Sequence, residues 1–195
     1  MLNSRTSDTV GVVGFPRSGS SMLMAMLDAA GVRPVIGSAA RSYELDSLSP
    51  GLAGLSVGDL AGRAVKLLDY ALWDNPATWP STKWRFVWCD RDPEEQAASQ
   101  IKFFGALGLL QIGPEESLAP LRESLVRDRP KALAAYRTVG DLLVVSYDDV
   151  LARPTLLAGE IVEFLGYPCD VEAAAAQVHN RSGKCLPDLA FELAD

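Results

Sequence analysis

Arg17, Ser20 and Ser21 stand in one glycine-bracketed run, GVVGFPRSGSSML, residues 11–23. A cation and two hydroxyls beside the backbone N–H groups of a glycine loop that opens a helix form a site for an oxyanion. Gly14 and Gly19 have the spacing of the nucleotide phosphate loop G-x-x-x-x-G-K-[ST], and Ser21 fills its last position. Ser20 stands where that pattern has lysine, so the loop's cation is Arg17, before the second glycine. Arginine offers a planar fork of donors that suits phosphate or sulfate oxygens.

A second pair of side chains, Arg91 and Ser99, lies in FVWCDRDPEEQAAS, residues 86–99, and reads by itself as a surface arginine and a helix serine or, beside the loop, as a second anion site. Asp92 is a helix cap, Pro93 fits the first turn, and Glu94 and Glu95 meet the positive end of the dipole. Asp92, Glu95 and Ser99 are spaced by three and four, which puts Ser99 on the face below the cap. Arg91 immediately precedes the cap, so Arg91 and Ser99 can reach one anion.

The elements that must position these residues follow from the apolar pattern. Thr9–Phe15 reads as a buried parallel strand and Ser20–Ala30 as a helix carrying Met22, Leu23, Met26 and Leu27, stopped by Gly31. Strands are expected over Arg63–Leu68, Lys83–Cys89 and Leu142–Ser146. Helices are expected from Asp92 to about Gly105, over 115–138, and over Thr155–Leu165 and Val171–Val178. Residues 37–62 read as loop and short helix. Alternation of strand and helix means a parallel α/β sheet, and a chain of 195 residues without repeat or linker suits a single domain over 1–195.

Pro16–Ser21 (PRSGSS) matches at each position the loop Pro-[Lys/Arg]-Ser-Gly-[Thr/Ser]-[Ser/Thr] of the PAPS-dependent sulfotransferases, which this chain resembles. The strand, Arg-Asp-Pro and helix serine of 86–99 match the family's second signature. The resemblance covers about residues 9–150. It implies a P-loop-type three-layer sandwich with a central parallel sheet of about four or five strands flanked by helices. It implies PAPS as donor and PAP as product. Pro16, Arg17, Ser18, Gly19, Ser20 and Ser21 would hold the 5′-phosphosulfate, with Arg17 at the bridging oxygen. Arg91 and Ser99 would bind the 3′-phosphate. Lys66, in Val65-Lys66-Leu67, resembles the family's strand-end lysine near the sulfuryl group, and it also reads as an ordinary strand-edge lysine. Arg181-Ser182-Gly183-Lys184 has a different residue order from the family's late basic loop and reads as a solvated tail.

Sulfuryl transfer to an alcohol needs a proton acceptor. Cytosolic members place a histidine after the strand-end lysine, where this chain reads Leu67-Leu68-Asp69. Other members use a glutamate from the segment after the first helix, and Glu44 lies there, so Glu44 is the leading candidate and also reads as a solvated carboxylate. Asp69 ranks second, and His179 is the chain's single histidine.

A net charge of −7 argues against nucleic acid and polyanionic glycans as partners and favours a small acceptor. Three cysteines without metal-ligand spacing fit a reducing cytoplasm, and no metal site is expected. The first ten residues lack the apolar core of a secretory signal, and no run is long enough to span a membrane. The apolar run Ile101–Ile112 could line an acceptor pocket, fill the core or form an interface, and the state expected is monomer or homodimer. Two other readings stand beside the transferase: a P-loop nucleotide kinase using Asp90 on Mg²⁺, and a non-catalytic PAP or nucleotide-binding protein.

Overall fold

The computed structural model describes residues 8–34, 43, 57–68, 81–110 and 113–179. Its elements are β1 (Thr9–Val13), α1 (Ser20–Ala29), β2 (Arg33–Pro34), α2 (Val57–Leu60), β3 (Arg63–Leu67), β4 (Trp84–Asp90), α3 (Pro93–Ala106), α4 (Pro114–Val139), β5 (Gly140–Ser146), α5 (Tyr147–Ala152), α6 (Pro154–Leu165) and α7 (Val171–Ala175). The five strands are parallel and lie in the order β2-β3-β1-β4-β5. The chain leaves β1 to build one side of the sheet, then crosses back over it to build the other. Ligands of open parallel sheets bind at such a reversal, outside the carboxyl ends of the strands.

Side chains alternate across the pleat and divide the core in two. Val10, Val12, Val87, Cys89 and Val145 belong to a core shared with α1, α6 and α7 through residues such as Leu23, Ile161 and Ala174. Val13, Val65, Leu67, Trp84, Phe86 and Trp88 belong to the other, shared with α3 and α4 through Ala97, Leu125, Ala132 and Tyr136. The result is a three-layer sandwich. Gly11 has a packing reason: a Cβ there would stand 2.5 Å from Phe86 Cδ1, inside the ring that stacks on Trp84 at 5.3 Å and leans on Tyr136 at 4.9 Å. Burial of each such side chain stabilises the fold by roughly 1.5–3 kcal/mol.

The strands and long helices expected from the pattern are present, with shifted ends. β1 stops at Val13 because Gly14 turns the chain at φ 156°. The helix expected over 171–178 ends at Ala175. Two elements were not expected. β2 is a two-residue edge pairing of Arg33 with Arg63 and Pro34 with Ala64, too short for any period. α5 follows β5 without a loop, and its N-cap is Ser146, whose Oγ accepts from the Asp149 N–H at 3.3 Å. No described helix is long and apolar enough to cross a membrane.

Candidate functional site

The loop between β1 and α1 is built around three left-handed residues, Gly14 (φ 156°), Arg17 (φ 64°) and Gly19 (φ 111°). For Arg17 this backbone costs roughly 1–3 kcal/mol, so its surroundings must hold it. At Gly19 only glycine fits: a Cβ would lie 2.6 Å from Tyr147 Cδ2 and 3.0 Å from Cys89 Sγ. Among the described residues no side chain caps α1, and its first turn carries no acid, so the positive end of its dipole faces the loop. Ser18 is 1% exposed, and its Oγ has no hydrogen-bond partner among the described residues. A buried hydroxyl without a partner in a loop of this shape fits an anionic ligand that accepts from it.

Side chains from β4 and α3 grip the loop from below. Gln96 Nε2 donates to the Phe15 carbonyl at 3.2 Å and the Pro16 carbonyl at 2.9 Å, and Gln100 Nε2 donates to Pro16 at 2.8 Å. Arg91 Nη1 donates to the Arg17 carbonyl at 3.0 Å, and Cys89 Sγ donates to the Ser18 carbonyl at 3.0 Å. Burial, then the Asp90 charge, pushes the Cys89 thiol up, so it stays protonated and able to donate. The Arg91 guanidinium stacks over the Tyr147 ring at 4.7 Å, with Glu95 Oε2 3.6 Å from its Nε.

Two contacts join the motifs read separately from the sequence. The Lys66 side chain is 4% exposed on the α1 side of β3, and its Nζ donates to Ser21 Oγ at 2.8 Å. Lys66 is paired in register with Val12, which brings its amine to the loop. A lysine amine thus reaches the loop from the neighbouring strand. Arg17 Nε approaches Ser99 Oγ at 3.4 Å, and its guanidinium lies 5.0 Å from the centre of the Phe103 ring. Arg17 therefore bridges from the loop to the face of α3 that carries Ser99.

Glu44, Asp69 and Arg181–Lys184 lie outside the described residues. His179 is exposed beyond α7. Tyr43, next to Glu44, is buried, with φ 58°, and its hydroxyl donates to Asp28 Oδ2 at 3.0 Å. Burial, then Asp28, pushes the Tyr43 phenol up to about 12. Asp90, the residue a kinase would turn to Mg²⁺, accepts from Trp88 Nε1 at 3.4 Å and from Arg129 Nη2.

Beside Pro16, between α3 and α4, is a cavity of about 340 Å³. Phe15, Pro16, Phe104, Leu121 and Leu125 give it apolar walls, with Gln100 and Asp128 among its polar groups. Phe104 answers part of the question left by the 101–112 run: it lines this cavity while its neighbour Phe103 lies under Arg17. Hydrogen bonds from Arg127, Lys131 and Ser124 hold Asp128 well below the usual carboxylate range, so it is a weak proton acceptor near neutral pH.

Gln96, Gln100 and Tyr147 were not singled out from the sequence. Gln96, Ser99 and Gln100 share the three-and-four spacing of one helix face, a signal that was available. Tyr147 had none, since only the parallel pairing of β4 with β5 brings it under Gly19.

No protein-family model matches the chain, and no curated protein is similar to it at a significant level. Solved structures do match. The fold is similar to that of mouse sulfotransferase SULT7A1 complexed with PAP, at 17% identity and a TM-score of 0.55, over 87% of this chain and 61% of that chain. It is also similar to the sulfotransferase domain from the curacin biosynthetic pathway, at 14% identity and a TM-score of 0.57, over 91% of this chain and 80% of that one. The chain thus has the fold of sulfotransferases and spans about six-tenths of the length of the mouse enzyme.

Proposed function

We propose that the protein moves a sulfuryl group from PAPS to a hydroxyl or amine of a small acceptor. The observation that carries this reading is the convergence on one loop of Lys66 from β3 and Ser99 and Arg91 from the β4–α3 segment. The buried Ser18 hydroxyl and the loop's backbone suit the 5′-phosphate, with Pro16, Gly19, Ser20 and Ser21 completing the cradle. Arg91 and Ser99 suit the 3′-phosphate. The cavity beside Pro16 is large enough for a compact apolar body, which supports a small acceptor.

PAPS, when bound, supplies an activated sulfuryl group and departs as PAP. The acceptor's hydroxyl oxygen or amine nitrogen would bond to sulfur as the bond from sulfur to the leaving phosphate oxygen breaks, in an in-line displacement. Arg17 and Lys66 would hold the phosphosulfate end of the donor and donate to the charge left on its phosphate oxygen. Glu44 takes the acceptor's proton, in a reaction that needs no metal and belongs to the cytoplasm. The kinase alternative is less well supported, because the Asp90 carboxylate is already engaged by Arg129 and Trp88.

Calorimetric titration with PAP and with ADP tests the reading. Hydrogen bonds to charged groups contribute about 1.5–3 kcal/mol, so ADP, lacking the 3′-phosphate, should bind at least about tenfold more weakly. Ser99→Ala should narrow that ratio without disturbing the loop carbonyls. Equal affinities for PAP and ADP, or loss of PAP binding in EDTA, would defeat the proposal.

A further inference from the structure

Four consecutive loop carbonyls, those of Phe15, Pro16, Arg17 and Ser18, accept hydrogen bonds from side chains of one segment, Cys89, Arg91, Gln96 and Gln100. In a planar trans peptide the carbonyl of one residue and the N–H of the next point in opposite directions. Drawing the Pro16 and Ser18 carbonyls down onto β4 and α3 therefore turns the Arg17 and Gly19 N–H groups to the opposite side of the loop.

Two of the four fasteners are glutamine amides from successive turns of α3, 3% and 2% exposed. Three of their hydrogen bonds end on the two residues that precede the strained Arg17. Gln100 also lines the cavity beside Pro16, so the loop and the cavity share this side chain. We infer that Gln96 and Gln100 are positioning residues: they hold the loop in the peptide orientation that binds an anion. This inference rests on the PAPS reading only for the identity of the anion.

Their chemistry gives a test that a purely space-filling role would not pass. A glutamate at position 100 carries no donor when ionised and repels the Pro16 carbonyl. When protonated it regains one O–H donor, and burial raises its pKa toward the accessible range. Gln100→Met and Gln96→Met should each weaken PAP and ADP binding by the same factor, about three- to tenfold, leaving their ratio unchanged. Gln100→Glu should bind PAP poorly at pH 8 and recover relative to the unmodified protein as the pH falls to 5.5. Hydrogen–deuterium exchange of the unliganded proteins should show faster exchange in the peptide spanning 15–24 for both methionine variants, with no change across β5. That readout needs no nucleotide, so a protein that binds no PAP refutes the donor assignment and leaves the positioning role to be judged by exchange. Unchanged loop exchange, or a Gln100→Glu variant whose PAP affinity follows the pH profile of the unmodified protein, overturns the inference. If a methionine variant fails to fold, the pH series on Gln100→Glu decides alone.

Discussion

Lys66 Nζ lies 2.8 Å from Ser21 Oγ across 45 residues of sequence. β3 pairs in parallel beside β1, and this register sets the lysine next to the first turn of α1. Lys66→Met keeps the buried aliphatic stem and removes the donor. A preorganised donor to developing charge contributes about 3–4 kcal/mol to a transition state. PAP release from PAPS should therefore slow by roughly a hundredfold or more at saturating nucleotide. Turnover equal to the parent's would remove Lys66 from the catalytic set. Arg17→Ala should show a loss of similar size.

Glu44→Gln separates proton acceptance from binding. The substitution keeps size and polarity, so PAP affinity should stay within about twofold while transfer to any acceptor used by the parent falls by about a hundredfold or more. A Glu44→Gln protein with parental transfer shifts the role to Asp69 or His179.

Gly19 is closed to any side chain from two directions, its φ of 111° and the Tyr147 ring. Gly19→Ala should lower stability by about 1–3 kcal/mol in chemical denaturation and weaken PAP binding. Adding Tyr147→Leu should restore part of the loss, because it relieves the clash but not the backbone strain. Full recovery in the double variant would show that φ costs nothing there, and no recovery would show that the ring is not the obstacle.

The Tyr43 phenol gives a pH signature. Its folded pKa is raised from 10.0 to about 12, by burial first and then by its hydrogen bond to Asp28 and that residue's charge. The folded state binds this proton more tightly than the unfolded state does. The associated stability is thus complete below pH 10 and is lost as pH rises from 10 to about 12. Tyr43→Phe should lower stability at pH 7 by about 1 kcal/mol through the lost hydrogen bond and should flatten the decline above pH 10. Parallel stability curves for the two proteins over that interval would rule out Tyr43 as its source.

Local chemistry made part of this protein legible in its sequence. Glycines at 14 and 19 around Pro-Arg-Ser mark a strand-loop-helix turn because few other residues tolerate its dihedrals. The start of α3 was equally plain, and Asp92 Oδ1 accepts from the Glu95 N–H at 3.0 Å as a capping aspartate must. Such features depend on neighbours within four residues. The pairing of Lys66 with Ser21, of Arg17 with Ser99, and of the loop carbonyls with Gln96 and Gln100 does not. Each spans between 45 and 84 residues and follows from the order β3-β1-β4 in the sheet. Periodicity shows which face of a strand is apolar and leaves unstated which strand lies beside it. That choice places a lysine from one strand and an arginine from the end of another at the same loop, and it was made by the packing of two cores on opposite sides of the sheet.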